Sequence, residues 1–283
     1  MNNDVIVKFV RDDNKTFIID DTDWGSLLID GVDAAKYVIY SETNGTNDGS
    51  TITGEQIPSR DMEFCAEVMD TNQNEVLRWQ AISFFQPKRL YKIFITYMGR
   101  TRWISGKISA FKCPAQYLGL KQKLNVFFLC PDPYMNSTDD FGHDIALQVP
   151  HWGFPYMDHP DFGVLVSAFA FSQYVNIDYD GDVDSYFTAT MTFDNTVENP
   201  KIIKDNYFVR IKETFHPGDV VVIDFNEATI TKNGKPILNK VDKKSNFTQI
   251  KFSPGVNTIS YTADIGENDM HIRLQFYKKY LGV

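Results

Sequence analysis

The sequence is poor in cysteine, and its three cysteines are scattered. Cys65, Cys113 and Cys130 are odd in number, far apart and in no CxxC pair. That excludes a disulfide framework or a zinc ribbon and leaves small reduced thiols in a core. Long apolar runs are also missing. The longest, Phe162 to Phe171, is about half of the ~20 residues a membrane helix needs, so no membrane insertion is expected. The opening Met1-Asn-Asn-Asp has neither the basic nor the apolar region of a secretory signal. The sequons at Asn14, Asn44, Asn136 and Asn246 therefore carry no weight. No basic run exceeds two residues, the formal net charge is −9 and the pI is about 5.0. Neutralising phosphates needs clustered Lys and Arg, so tight nucleic-acid binding is excluded. An acidic surface would let DNA slide past without sticking.

Catalytic signatures are absent as well. There is no Gly-x-Ser-x-Gly elbow, no His-Glu-x-x-His, no phosphate loop and no dinucleotide fingerprint. Carboxylates are abundant, but abundance does not mark a glycosidase pair. Neither an enzyme nor a cofactor is expected. His143, His151 and His159 recur every eight residues, whereas metal sites favour closer pairs; they read as loop or interface residues. The run from Asn176 to Asp184 imitates a calcium loop, with Gly181 in sixth place. Phe187 stands in twelfth place where a bidentate Glu belongs. With strand-like flanks, the run reads as a solvated acidic turn, and no metal is assigned.

What the chain does have is aromatic and β-branched residues. Of 283 residues 43% are hydrophobic, 23% charged and 14% aromatic, with 22 Phe and 14 Tyr. This is one large or two medium globular domains, built mainly of strands. The organising stretch is Val76 to Ile108. Leu77, Ala81 and Phe84 or Phe85 share one helical face. Asp70, Thr71 and Asn72 can cap that helix, and Pro87 ends it. A hairpin follows, Tyr91–Tyr97 and Arg102–Ile108, turning at Met98-Gly99.

Upstream, Val5–Val10, Thr16–Ile19 and Ile57–Met69 read as strands and Asp20–Gly25 as a turn. Ala34–Tyr40 is a strand or a helical turn, and the polar, glycine-rich Thr43–Gly54 a mobile loop. Leu124–Cys130 reads as a strand buried on both faces. Met135 to Phe162 reads as a connection with few regular elements, anchored by Trp152, Phe154 and Tyr156 as an interdomain or partner contact. Beyond it lie short, evenly spaced segments: Phe169–Ile177, Ser185–Phe193, Tyr207–Ile211, Val220–Phe225, Ala228–Thr231, Thr248–Phe252, Asn257–Thr262 and Met270–Tyr277. Asn233-Gly234 is a strong hairpin signal among them. They indicate a β-sandwich or barrel.

Several of these stretches resemble one family. Trp24-Gly-Ser-Leu-Leu-Ile-Asp30-Gly31, Gly54-Glu-Gln-Ile57-Pro-Ser-Arg60, Phe84-Phe85-Gln86-Pro87-Lys88, Tyr97 to Arg102 and Pro131-Asp-Pro-Tyr134 are similar to the siphophage distal tail protein (Dit) family. So are Val175 to Tyr186, Glu198-Asn-Pro200, His216 to Asp224, Phe252 to Ile259 and Tyr280-Leu-Gly-Val283. The resemblance implies an N-terminal β-barrel-like domain with one short helix (1–134), a connecting segment (135–162) and a C-terminal galectin-like β-sandwich (163–283). It further implies a homohexameric hub at the distal end of the tail in the virion, made in the host cytoplasm. Its partners would be further copies of itself, the tail tube protein, a tail-tip or tail-associated hub protein, and receptor-binding or baseplate proteins. DNA would pass a central channel without specific binding. A ring would place Arg78, Phe85, Lys88, Arg89, Arg100, Arg102 and Trp103 at the subunit interface, the basic members facing a neighbour's carboxylates. The alternative is a module binding host-surface carbohydrate, although Trp24, Trp79, Trp103 and Trp152 all precede the sandwich.

Overall fold

The computed structural model describes residues 5–45, 48–115, 119–139, 141–144, 147–150, 167–170 and 174–283. The chain divides into two compact units, residues 1–138 with 279–283, and residues 139–278. Both are mainly β, as the composition predicts, and the first contains α1, the only α-helix among the described residues.

Unit 1 is built from β1 (Ile6–Arg11), β2 (Thr16–Ile19), β3 (Trp24–Asp30), β4 (Val38–Thr43), β5 (Ser50–Gln56), β6 (Arg60–Val68), α1 (Asn74–Phe84), β7 (Tyr91–Tyr97), β8 (Arg100–Lys112), β9 (Lys123–Cys130) and β10 (Met135–Ser137). Its main sheet is antiparallel in the order β2-β1-β7-β8-β9-β6-β3. The long β8 makes the curl possible. Its first half pairs with β7 and its second with β9, with a register shift between Ile108 and Ala110 that bends the strand. The sheet rolls around a core centred on Phe9, whose ring meets Phe64 at 5.1 Å, Phe85 at 5.3 Å and Phe128 at 5.5 Å. The helix face read from the spacing is the one that is buried: Leu77, Ala81 and Phe84. Asp70 caps a short 3-10 turn that runs into α1, its carboxylate accepting from the Asn72 amide at 3.0 Å.

Four expectations are corrected here. The strand at Leu124–Cys130 buries one face only: Leu124, Val126, Phe128 and Cys130 are fully buried, while Leu129 is 43% exposed. Its neighbours β6 and β8 are antiparallel, and an antiparallel sheet can leave one side in water. Trp24-Gly25 belongs to β3 rather than to a turn. Trp24 packs on Phe17 at 5.9 Å. Thr43–Gly54 is not a loop. β4 and β5 form a hairpin over it, and the open choice at Ala34–Tyr40 resolves to the strand from Val38. Finally, the segment from Met135 holds short strands. β10 pairs with β8, and Phe141–Asp144 and Leu147–Pro150 follow in unit 2. Strands this short and polar show no alternation in the sequence.

The chain's last residues return to unit 1. Tyr280 pairs with Met135 and Lys279 with Asn136. Arg60 is buried here and donates to the carbonyls of Gly31 at 3.0 Å, Asp33 at 2.9 Å and Leu281.

Unit 2 is a sandwich of two antiparallel sheets. One runs Phe141–Asp144, Met270–Phe276, Thr188–Phe193, Val220–Asp224, Thr229–Lys232, Lys235–Pro236; the other Tyr174–Tyr179, Gly255–Thr262, Lys201–Lys204, Tyr207–Arg210. Both contribute to one core, in which Phe187 packs tilted against Phe225 at 4.5 Å and stacks on Phe252 at 4.7 Å. Asn233 and Gly234 both have positive φ, 49° and 77°, the backbone a tight type I′ hairpin requires. Thr248–Phe252, expected as a strand, makes a single bridge from Phe252 to Ser185. The Asn246 side chain accepts from the Gln249 amide and turns the chain there.

Candidate assembly surfaces

The basic residues that stand close in sequence do not form one patch. Lys88 and Arg89 precede β7, whereas Arg100 pairs with Tyr97 at the tip of the β7–β8 hairpin. About 20 Å of strand separates the two ends. Arg89 makes an exposed pair with Asp12 at 3.2 Å, worth little in stability. Arg102 lays its guanidinium 3.5 Å from the ring centre of Tyr280, and its neighbour Trp103 donates to the Ser137 carbonyl at 2.7 Å. Arg78 donates to the Cys113 carbonyl at 3.2 Å beside Trp79. Phe85 is 3% exposed and packed among Phe9, Phe17 and Phe111. Its burial in the core removes it from any subunit surface. Trp152, Phe154 and Tyr156, with His151 and His159, lie outside the described residues.

The acidic turn of unit 2 does not gather its carboxylates. Asp180 faces Lys278 and Asp184 faces Lys251 at 2.8 Å. Gly181 is needed there because a Cβ would sit 2.4 Å from the Tyr179 hydroxyl oxygen. Among the described residues no group of His, Cys, Asp and Glu has metal-binding geometry. The thiols are held protonated. Burial pushes Cys130 up to about 12, and burial together with the Glu63 carboxylate pushes Cys65 up to about 11, far from a reactive thiolate.

Two surfaces that no motif announced stand out instead. Among the described residues the β4–β5 hairpin pairs with no other strand and is exposed along both faces. It carries Ile39 at 55%, Tyr40 at 51% and Ile52 at 58% exposure. A two-stranded ribbon alone is marginal in water, and clustered exposed apolar side chains mark an interaction site. The second surface is the outer face of β1 and β7, a groove of about 590 Å³ floored by Ile6, Val10, Leu90 and Phe94 and flanked by Lys8 and Lys92. The signal for the groove was available in principle. Lys8, Lys92 and Phe94 alternate with the buried Phe9, Ile93 and Ile95, so strand parity alone places them outward.

Residues 180–280 match the family described as siphovirus-type tail component, C-terminal domain. The distal tail protein of Bacillus phage SPP1 is 23% identical over 249 residues, covering 82% of this chain and 89% of that one. Among solved structures, SPP1 Dit, described as a paradigm of the hub adsorption apparatus of phages infecting Gram-positive hosts, aligns with a TM-score of 0.69 at 15% identity. The alignment covers 97% of this chain and 99% of that one. A chain of the phage P2 baseplate in its activated conformation aligns with a TM-score of 0.53 at 9% identity, covering 96% and 97%.

Proposed function

The chain belongs to the siphophage distal tail protein family, and from that premise we propose that it is a structural subunit of the phage tail hub rather than an enzyme. In this reading it sits at the distal end of the tail in the virion, after synthesis in the host cytoplasm. Six copies close a ring between the tail tube protein and the tail-tip or tail-associated hub protein, and receptor-binding or baseplate proteins dock around it. The observation that carries the reading is that the similarity to a curated distal tail protein runs through both units.

Two further features support it. The β4–β5 hairpin is an apolar projection in want of a partner, which suits a subunit better than a monomer. Six copies at −9 each would carry −54, and a ring of that charge would repel DNA from its channel wall. The carbohydrate-binding reading, with the galectin-like sandwich as its platform, has less to stand on. Phe208, an aromatic residue on the outer side of the four-stranded sheet, lies under the Lys201 ammonium at 4.3 Å, and Trp24, Trp79 and Trp103 all sit in unit 1. Negative-stain images of the purified chain test the proposal. Six-fold rings with a central hole are expected; particles that remain single subunits at every concentration would overturn it.

A further inference from the structure

Building on the proposed self-assembly, we infer that the β4–β5 hairpin of one copy docks into the β1–β7 groove of the next. The argument rests on charge and shape together. The hairpin is acidic: Glu42, Asp48 and Glu55 lie on it, with no Lys or Arg between residues 37 and 59. None of the three has a cationic partner among the described residues. The groove is basic in a chain of net negative charge. Lys8 and Lys92 flank it, and neither has a carboxylate partner among the described residues. Its other charged members are already paired, Arg11 with Asp13 and Asp12 with Arg89. Lys92 lies over the Trp103 ring at 4.9 Å, but charges of opposite sign that lack an ion-pair partner among the described residues thus stand on two surfaces of the same chain.

The apolar pattern matches as well. Across β1 and β7, Lys8 stands opposite Phe94 and Val10 opposite Lys92, so the two ammonium groups straddle an apolar floor. In the hairpin, Ile39 stands opposite Glu55 and Ser41 opposite Ile52. Ile39 and Ser41 share one face of β4, and the register shift between Tyr40 and Ser41 brings both of their partners, Glu55 and Ile52, onto that same face. That face offers two apolar groups around a carboxylate, to be set on two lysines around an aromatic ring. Hairpin and groove are different patches, so the contact is head-to-tail. Each copy gives one and receives one, and the series ends only when it closes into a ring.

Mass photometry of the full chain over a concentration series tests this with two charge-reversed variants, Lys8→Glu/Lys92→Glu and Glu55→Lys, the latter on the face that carries Ile39 and Ile52. Each alone should raise the assembly midpoint by about tenfold or more, because like charges then meet at every contact. An equal mixture should assemble again, since alternating copies present only opposite charges to each other. That recovery also shows that both variants are folded. Wild-type rings with a reversed variant that assembles as readily would leave the ring standing and overturn the docking, the groove then serving a different protein. A mixture that stays dissociated would overturn it too, as expected for a hairpin held by the groove of its own chain. A wild-type chain that never assembles would take both readings down.

Discussion

Arg11, on β1, sets its guanidinium against the last carbonyl of α1, donating to Phe84 at 2.8 Å and to Ser83 at 3.2 Å. A cation at a helix C-terminus meets the negative end of the macrodipole and satisfies carbonyls that have no partner within the helix. Asp13 holds the same guanidinium from the other side, at 2.6 and 2.8 Å, and the Tyr91 hydroxyl adds a bond to Phe84 at 3.1 Å. Arg11→Ala should therefore destabilise unit 1 by about 2–4 kcal/mol. Urea denaturation followed by Trp fluorescence measures it, and a loss under about 0.5 kcal/mol would remove Arg11 from the account of how α1 is held.

Two aspartates make stability fall in acid. Hydrogen bonds from Arg11 hold Asp13 well below the usual carboxylate range. The His216 amide, followed by Lys232, lowers Asp219 to about 2. Both folded values lie beneath the unfolded value of about 3.9. Their contribution is present above that value and is lost as pH falls through the folded ones. Melting temperature should drop between about pH 4 and pH 2, and less steeply in Asp219→Asn than in the wild type. Equal slopes would show that Asp219 does not contribute.

Gly106 and Cys130 form a tight contact across β8 and β9. A Cβ on Gly106 would lie 2.7 Å from the Cys130 sulfur. Gly106→Ala should cost about 1–3 kcal/mol through overpacking, and part of that cost should vanish in Gly106→Ala/Cys130→Ala. Additive effects in the double-mutant cycle would place the strain elsewhere.

Cys130 is fully buried with its thiol pushed up to about 12. Ellman's reagent at pH 8 should leave it unmodified in the native protein and label it once the chain is unfolded. Fast native labelling of Cys130 would mean that β9 opens readily.

Arg60 clasps three carbonyls with a planar fork that a lysine cannot reproduce. Arg60→Lys should raise amide exchange at Tyr280 to Val283 by about tenfold. An unchanged exchange pattern would show that strand pairing alone secures the C-terminal segment.

Where the sequence could be read, local chemistry decided the outcome. Leu77, Ala81 and Phe84 repeat at the helix period, and Asn233-Gly234 dictates its own turn, so both needed no distant partner to be legible. The β4–β5 hairpin was hidden because Thr51-Ile-Thr-Gly54 looks like loop composition and its strands alternate over no buried face. The basic residues misled for a geometric reason. Lys88 and Arg102 lie on either side of a hairpin strand, and folding sends them to opposite ends of it. The pairing of Met135 with Tyr280 joins residues on either side of the whole second unit, a partnership no local pattern encodes.

That last pairing has a consequence for how such proteins diversify. Unit 2 is not a tail-end addition; it is threaded into unit 1, leaving from β10 and re-entering beside it. Its two chain ends emerge as neighbours, like the prongs of a plug. Any foreign module whose termini lie a strand's width apart could occupy the same socket without disturbing the rolled sheet, so the second unit could be exchanged while the first is kept.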